Sequence, residues 1–275
     1  MKNTLNGKVV VVTGASSGIG EAMAREYAKM GAKVVMAARR EEELKRIASE
    51  IEAEGGKVAY SACDVVKEEE CKRLIEVAIE AFGSIDVLIC NAGLSMRALF
   101  DDCDLKVLHR LMDVNFWGTV YCTKFALPWL LESKGSVVGV ISVAGYAGLP
   151  GRTGYSTSKF AIRGFLETLR MEHLDDGLHV MVFAPGYTAS NVRNAALLAD
   201  GTPQGSTPKD ESKLMSADEV AKKLAYGLYR RRREMILTAL GYWDVFFYKR
   251  FPRIMDWVQM NYIRKHEKTW DPAKQ

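Results

Sequence analysis

The chain has 275 residues, of which 48% are hydrophobic and 26% are charged. This composition is that of a globular protein and excludes a disordered, collagen-like or coiled-coil chain. The length suits a single α/β domain. The five cysteines are scattered and form no C-x-x-C pair, which argues against a disulfide framework or a zinc cage and predicts a reducing, cytoplasmic location. The four histidines have no ligand spacing, so no metal site is predicted.

Short apolar segments alternate with longer amphipathic segments along most of the chain. The apolar segments predict strands at 8–12, 33–37, 57–62, 86–90, 136–142, 179–183 and 235–239. The segments between them are predicted to be helices; in one of these, Leu44, Ile47 and Ile51 share a face. Near-continuous apolar strands are typical of a parallel sheet that helices cover on both sides. The sequence therefore predicts an α/β fold with a doubly wound, seven-stranded parallel sheet flanked by helices.

Two segments depart from this alternation. Residues 189–216 are polar and contain two prolines and two glycines, which predicts a functional lid or a disordered loop. Residues 241–275 are dense in aromatic and basic side chains and are expected to form short helices, with Pro252 in a first turn. We therefore divide the chain into a catalytic domain at 1–240 and a helical C-terminal extension of it at 241–275. Neither a signal peptide nor a membrane-spanning helix is predicted.

The net charge of +4 is unevenly distributed. Nine bases and three acids lie between Arg230 and Lys265, so that segment carries +6. Its aromatic side chains offer too much apolar surface to leave in water, which predicts packing against the substrate opening or a second subunit, with reversible attachment to anionic membranes. A purely structural dimer seam is the alternative. No nucleic-acid recognition motif is present, so no nucleic-acid partner is expected.

Glycines and small polar residues lie between the first strand and the helix that follows it. Glycines at such a turn let the backbone approach a pyrophosphate, and the N–H groups and positive dipole end of the helix stabilise its charge. The sequence therefore predicts a dinucleotide site that is formed by Gly14, Ser16, Ser17, Gly18, Ile19 and Gly20.

The end of the second strand indicates which dinucleotide binds. A ribose with a free 2′-hydroxyl needs an acidic residue here, whereas a 2′-phosphate needs an arginine. The strand is followed by Arg39 and Arg40, and the first acid is Glu41. A guanidinium group can bind the phosphate through two hydrogen bonds and stack on adenine. The predicted cofactor is NADP(H).

Tyr155 and Lys159 are four residues apart in a predicted helix, so their side chains share one face. A tyrosine is a poor acid or base near neutral pH unless a nearby cation stabilises its phenolate. Lys159 is placed to supply that cation. Ser142 is placed to donate a hydrogen bond to a substrate oxygen on which negative charge develops.

The chain resembles the short-chain dehydrogenase/reductase family over about residues 5–240. The motifs that carry the resemblance occur in family order and are TGASSGIG, Asp64-Val65, Asn91-Ala92-Gly93, Asn115, Ser142, Tyr155, Lys159 and Pro185-Gly186-Tyr187-Thr188. The resemblance implies a Rossmann-type fold and a homodimer or homotetramer. It also implies that Tyr155 is the acid and base, that Lys159 binds the nicotinamide ribose, that Ser142 orients the carbonyl and that Asn115 holds a relay water. The residues implied around the rest of the cofactor are Asp64 and Val65 at adenine, Asn91, Ala92 and Gly93 at its centre, and Pro185, Gly186 and Thr188 at the carboxamide.

Within the family, residues 158–164 and the basic aromatic tail resemble the branch that contains 11β-hydroxysteroid dehydrogenase and 3-ketodihydrosphingosine reductase. The resemblance implies an NADP(H)-dependent oxidoreductase that acts on a lipophilic ketone or secondary alcohol. One alternative is a 3-oxoacyl carrier-protein reductase, in which Arg230 to Arg233 would dock an acidic carrier. Another is a regulatory NADP(H)-binding protein without turnover.

Overall fold

A computed structural model describes residues 5–186, 188, 195–205 and 214–266. The strands are β1 (Val9–Thr13), β2 (Lys33–Ala38), β3 (Lys57–Ala62), β4 (Val87–Cys90), β5 (Ser136–Val140), β6 (His179–Ala184) and β7 (Glu234–Ile236). The α-helices are α1 (Gly18–Lys29), α2 (Glu41–Ala53), α3 (Glu68–Phe82), α4 (Leu105–Leu111), α5 (Gly118–Glu132), α6 (Thr153–Glu172), α7 (Ala217–Tyr229), α8 (Ala239–Arg250) and α9 (Pro252–His266). Within the described ranges, no helix combines the length and the hydropathy needed to cross a bilayer.

All seven strands are parallel and lie in the order β3-β2-β1-β4-β5-β6-β7. The chain runs outward from β1 to β3, then returns to the centre and runs outward again from β4 to β7. The order therefore reverses between β1 and β4, and a crevice opens beyond the carboxyl ends of these two strands. The predicted doubly wound sheet is confirmed.

The apolar strands are buried because helices cover both faces of the sheet. Val10 and Val12 of β1 pack into a core layer with α1, α2 and α7. Val9 and Val11 point the other way, into a layer with α3, α5 and α6. Successive side chains of a strand point to opposite faces, so a run of valines fills both layers.

The seventh strand ends earlier than the sequence pattern indicated. We predicted a strand at 235–239, but β7 ends at Ile236 and α8 already begins at Ala239. Thr238 is the reason, because its hydroxyl caps α8 by accepting a hydrogen bond from the Gly241 N–H at 3.1 Å. The helical extension is present as α8 and α9; residues 267–275 lie outside the described residues.

Only part of the predicted lid is described, at 195–205 and 214–216. Leu197 accepts a hydrogen bond from the Arg97 N–H at 2.7 Å and donates one to the Ser95 carbonyl at 2.9 Å. The Asp104 N–H donates to the Ala199 carbonyl at 2.9 Å. This part of the loop is therefore held by backbone hydrogen bonds against the segment that follows β4. Residues 189–194 and 206–213 lie outside the described residues.

Candidate cofactor and catalytic site

The residues singled out in the sequence gather at the carboxyl edge of the sheet. Each follows the end of a strand or lies on a helix that packs against that edge. The strands are followed by Gly14, Arg39, Asp64, Asn91, Ser142, Pro185 and Thr238, in the order β1 to β7. One edge of the sheet therefore collects motifs that are spread over about 175 residues of sequence, from Gly14 to Thr188.

The glycine-rich turn between β1 and α1 allows a close approach of backbone to backbone. Gly14 has a φ of +68°, in the left-handed region that favours glycine. A Cβ on Gly20 would lie 2.3 Å from the Gly14 carbonyl oxygen, so no other residue fits there. Ser17 precedes α1 and makes no side-chain capping bond, which leaves the first N–H groups of the helix for an anion. The turn fits the pyrophosphate of a dinucleotide.

Thr13 and Asn91 join the ends of β1 and β4 below this turn. The Thr13 hydroxyl oxygen accepts hydrogen bonds from the backbone N–H groups of Asn91 and Ala92, each at 3.0 Å. The Asn91 side-chain amide donates to the Thr13 carbonyl at 2.9 Å. Gly93 comes next and lies beside the side chains of Asn115 and Lys159. The Asn91-Ala92-Gly93 segment therefore links the glycine-rich turn to the candidate catalytic residues Asn115 and Lys159.

Two exposed arginines follow β2 at the edge of the glycine-rich turn. The Arg40 guanidinium donates to both the carbonyl and the hydroxyl oxygen of Ser16 at 3.0 Å, so it is held over the turn. Arg39 is also exposed. The acids that follow are already paired within α2: Glu41 and Glu42 with Lys45, and Glu43 with Arg46. The acids of α2 therefore do not form ion pairs with the two arginines at the edge of the glycine-rich turn.

The remaining cofactor candidates are held by local contacts. The Asp64 carboxylate accepts a hydrogen bond from the Val66 N–H at 3.4 Å. Val65 is buried against Gly118 at the start of α5. After β6, the Thr188 hydroxyl donates to the Gly186 carbonyl at 3.1 Å. These positions flank the crevice on its two sides, next to β3 and next to β6.

Lys159 and Tyr155 lie side by side on α6, as their spacing predicted. The Lys159 ammonium is 5.7 Å from the centre of the Tyr155 ring and donates a hydrogen bond to the Val140 carbonyl at 2.9 Å. Only 4% of Lys159 is exposed. Burial lowers the pKa of Lys159 from its usual 10.5 to about 8. The site thus holds a cation in apolar surroundings, directly beside a phenol.

Asn115 lies in a π-helical turn at Met112–Trp117, between α4 and α5. Its side chain is fully buried; the oxygen accepts from the Leu94 N–H at 2.7 Å, and the amide donates to Ser158 Oγ at 2.8 Å. The Ser158 hydroxyl in turn donates to the Tyr155 carbonyl at 2.8 Å. Single π-helical turns are often found at functional sites. Asn115 is thereby connected to the backbone of the helix that carries Tyr155.

Ser158 was not singled out in the sequence analysis. It is fully buried and joins Asn115 to α6, so its hydroxyl is part of the site's hydrogen-bond network. Its spacing of three residues from Tyr155 would have placed it near the same helix face. The signal was available in the sequence, but many small hydroxyl residues in helices have that spacing.

Ser142 follows β5 and begins a short 3₁₀ turn at Val143–Gly145. Its hydroxyl oxygen accepts a hydrogen bond from the Ala144 N–H at 3.3 Å, which leaves its proton to donate to a substrate oxygen. Helix α8 borders this turn, because a Cβ on Gly241 would lie 3.1 Å from the Val143 side chain. The C-terminal extension therefore forms a wall beside Ser142.

The family model described as short chain dehydrogenase matches residues 8–199. The chain belongs to the short-chain dehydrogenase family. A similar relative is the 11-beta-hydroxysteroid dehydrogenase of Pinus massoniana, with 37% identity over 92% of this chain and 73% of the relative. The 11-beta-hydroxysteroid dehydrogenase-like 4A of Arabidopsis thaliana is 39% identical over 82% of this chain and 75% of its own length. The resemblance to this family and its hydroxysteroid dehydrogenase group is confirmed.

Solved structures of the short-chain dehydrogenase family share the fold. An alcohol dehydrogenase from the archaeon Thermococcus sibiricus, complexed with 5-hydroxy-NADP, has a TM-score of 0.74 and 28% identity over 84% of this chain and 95% of that one. A short-chain dehydrogenase/reductase from Burkholderia phymatum, in complex with NAD, has a TM-score of 0.82 and 23% identity over 91% of this chain and 96% of that one. This chain is accordingly an oxidoreductase of a family that uses nicotinamide cofactors.

Proposed function

We propose that this short-chain dehydrogenase interconverts a lipophilic ketone and its secondary alcohol with NADP(H) as the cofactor. The observation that carries the proposal is the buried Lys159 ammonium beside the Tyr155 ring. A buried cation is costly, and here it has a chemical use, because it stabilises the phenolate that remains after Tyr155 gives up its proton.

In ketone reduction, the Tyr155 hydroxyl donates its proton to the carbonyl oxygen while Ser142 donates a hydrogen bond to that oxygen. When bound, the reduced nicotinamide supplies the hydride that the carbonyl carbon accepts. Lys159 then stabilises the Tyr155 phenolate until a proton returns. Asn115 and its hydrogen-bond partner Ser158, which lies on α6, are proposed to position the relay that returns this proton.

The preference for NADP(H) is supported by the two arginines after β2. Arg40 is already bound to Ser16, and neither arginine is neutralised by the acids of α2. The solved relatives include one complex with an NADP analogue and one with NAD, so the family alone leaves the preference open. A charge-assisted contact with the 2′-phosphate contributes roughly 1.5 to 3 kcal/mol, on the order of ten- to a hundredfold in binding.

A lipophilic substrate is supported by the apolar surroundings of Tyr155. Its ring packs against a cluster of buried residues from the loop after β4, from α4 and from the described part of the loop after β6, namely Met96, Val107, Leu111 and Leu197. The apolar side chain of Val143, next to Ser142, lies against Gly241 of α8. The Pinus massoniana and Arabidopsis thaliana relatives, which match most of this chain, are named 11-beta-hydroxysteroid dehydrogenase and 11-beta-hydroxysteroid dehydrogenase-like 4A. We therefore propose a steroid-, sphingoid- or lipid-like ketone as the substrate class.

The placement of Arg230 to Arg233 disfavours a carrier-protein reductase. This run precedes β7, so it lies at the amino edge of the sheet, opposite Ser142. Arg231 donates to the carbonyls of Lys134 and Gly177, and Arg232 lies over the Tyr226 ring. An acidic carrier docked on this run would be on the wrong side of the sheet to deliver its substrate.

We also propose that the protein is a homodimer or homotetramer assembled through α5 and α6. Trp117, at the end of the π-helical turn that leads into α5, and Phe160 on α6 are both more than 40% exposed, and Trp117 stacks on Tyr121 of α5 at 5.7 Å between ring centres. Exposed aromatic rings of this kind are enriched in subunit interfaces. The solution mass of the Trp117→Ser variant tests this assembly. A smaller mass than that of the wild type supports the interface, and an unchanged oligomer mass contradicts it.

Oxidation of NADPH in the presence of a panel of ketones tests the proposed function. The panel contains steroid-like and long-chain ketones, small water-soluble ketones and a 3-oxoacyl carrier thioester. We expect turnover of ketones, with the highest kcat/KM for the lipophilic ones. Turnover of the carrier thioester alone would favour the reductase alternative, and tight NADPH binding without any turnover would favour the regulatory protein.

A further inference from the structure

Helices α8 and α9 present exposed apolar side chains that no other described residue covers. We call this surface the aromatic face; its main members are Trp243, Phe246, Phe247, Ile254, Trp257 and Val258, which are 41% to 67% exposed. Trp243 contacts the rings of Phe246 and Phe247 at 5.6 and 5.7 Å between ring centres. Exposed apolar surface of this extent marks an interaction site.

Helix α8 is apolar on both sides, although only one side is packed. Gly241 and Val245 are buried against the rest of the protein, and the opposite side carries the exposed rings. A surface helix normally exposes polar residues on the side opposite its packed side, so a cluster of aromatic rings there is normally covered by protein or lipid. The aromatic face therefore needs an external partner.

The charges on these two helices indicate the chemistry of that partner. Between 239 and 266 there are five bases and two acids, a net charge of +3. Arg250 and Arg253 are exposed at the junction of α8 and α9, next to the aromatic face. The four arginines at 230–233 lie at the opposite edge of the sheet, so the charge of +6 seen in the sequence is divided between two separate surfaces.

We propose that the aromatic face binds an anionic membrane surface. Tryptophan side chains favour the depth of the lipid headgroups, and neighbouring arginines pair with anionic headgroups. A second copy of this chain is disfavoured as the partner, because a two-fold contact through this face would bring the exposed Arg250 and Arg253 of the two copies close together. An anionic bilayer instead neutralises these charges and covers the rings.

This placement also has a consequence for the substrate, which rests on the proposed function. The buried side of α8 borders Val143, next to Ser142, and its exposed side carries the aromatic face. One helix therefore separates the lipid surface from the catalytic serine. A membrane-bound protein would hold its substrate opening close to the bilayer in which a lipophilic ketone dissolves.

Flotation of the full chain with lipid vesicles tests the binding. We compare phosphatidylcholine vesicles with phosphatidylcholine–phosphatidylglycerol vesicles, at low and high salt. The test variants are Phe246→Ser with Trp257→Ser, and Arg250→Glu with Arg253→Glu. The matched controls are Leu174→Ser, at a residue that is 74% exposed on another surface, and Arg230→Glu, at the opposite edge of the sheet. Thermal melting verifies that every variant is folded.

We expect binding to the anionic vesicles that high salt weakens and that both double variants lose. Each base near an anionic surface strengthens partitioning about fivefold, which corresponds to about 1 kcal/mol, so the double charge reversal should cost more than a hundredfold. The two control variants should bind like the wild type. Absence of binding to every vesicle would overturn the proposal. So would equal binding of the test and control variants, or a dimer that Phe246→Ser with Trp257→Ser dissociates without any effect of lipid.

A parallel assay separates this surface from the catalytic proposal. A water-soluble ketone is reduced without vesicles, and we expect the same kcat/KM in the wild type and in Phe246→Ser with Trp257→Ser. If the wild type does not reduce the ketone, the catalytic proposal is refuted, and the flotation result is unaffected. If turnover is present and flotation fails, only the membrane surface is refuted.

Discussion

Tyr155 and Lys159 carry the proton chemistry of the proposed reaction, and their separate contributions can be measured. Tyr155→Phe removes the proton donor and leaves the apolar contacts of the ring with its neighbours. We expect kcat to fall by at least about a thousandfold, near the upper range of general acid catalysis, while NADPH affinity stays almost unchanged. Steady-state kinetics and a binding titration check both parts. A variant that kept half of the wild-type kcat would show that another group donates the proton.

Burial of Lys159 links the stability of the protein to pH. The pKa of Lys159 is about 8 in the folded chain and 10.5 in the unfolded chain. Between these two pH values the unfolded chain therefore keeps this proton while the folded chain has lost it. The wild type is therefore penalised at pH 7 and gains stability as the pH rises from about 8 to 10.5. Relative to Lys159→Met, this gain should be about 3 kcal/mol.

Urea unfolding of the wild type and of Lys159→Met at about pH 7 and pH 10 measures this gain. The comparison between the two proteins cancels the effect of every other titrating group. Loss of the hydrogen bond to the Val140 carbonyl shifts the difference equally at both pH values, so it does not affect the result. A stability difference that did not change with pH would show that Lys159 keeps an ordinary pKa.

Arg39 and Arg40 are expected to determine the choice of cofactor. Arg39→Ala should reduce kcat/KM with NADPH on the order of ten- to a hundredfold and leave the value with NADH almost unchanged. Lys45→Ala is the matched control, because Lys45 is a base six residues further on that is already paired with Glu41 and Glu42. Equal kcat/KM for both cofactors in the wild type would contradict the assignment.

At the scale of elements, the glycine-rich turn before α1 has the strictest geometry. Gly20→Ala would place a methyl group 2.3 Å from the Gly14 carbonyl oxygen, so the turn must shift. We expect a loss of NADPH affinity of at least about tenfold and a lower melting temperature. Gly164→Ala on α6 is the control, since its new methyl group meets no atom within 4 Å. It should raise stability by about 1 kcal/mol through helix propensity. Similar effects of both substitutions would show that the turn is not constrained.

Most strands could be predicted from the sequence because helices bury them on both faces of the sheet. A strand covered on both sides is a short apolar run, and six such runs gave the positions of β1 to β6 within about two residues. The end of β7 could not be predicted, because its apolar run continues past the strand. Thr238 ends it by capping α8, and that capping depends on the local hydrogen bond to Gly241.

The site was predictable to the extent that its motifs follow strand ends. All parallel strands end at one edge, so residues after β1, β2, β4 and β5 had to meet. The sequence did not indicate that Arg40 binds Ser16 or that Ser158 joins Asn115 to α6, because both contacts depend on side chains that are far apart in the chain. The division of the basic segment between two surfaces was likewise a property of the fold.

At the scale of the whole molecule, the sheet brings a cofactor crevice, a catalytic group and an apolar surface to the same end. The carboxyl edge holds the glycine-rich turn and Ser142, and α8 follows from the end of β7 to the aromatic face. The amino edge holds Arg230 to Arg233, of which Arg231 and Arg232 contact the protein itself through their side chains. This separation between the two edges of the sheet supports the proposal of a reductase that receives NADPH and a lipophilic ketone at the carboxyl edge.

Transfer of deuterium from NADPH that carries deuterium in place of both hydrogens at C4 of the nicotinamide tests this account most directly. The labelled cofactor, a long-chain or steroid-like ketone and the purified protein are incubated, and the alcohol product is analysed by mass spectrometry. We expect one deuterium at the carbinol carbon with the wild type and no product with Tyr155→Phe. An alcohol without the label, or equal product from Tyr155→Phe, would contradict hydride transfer at this site.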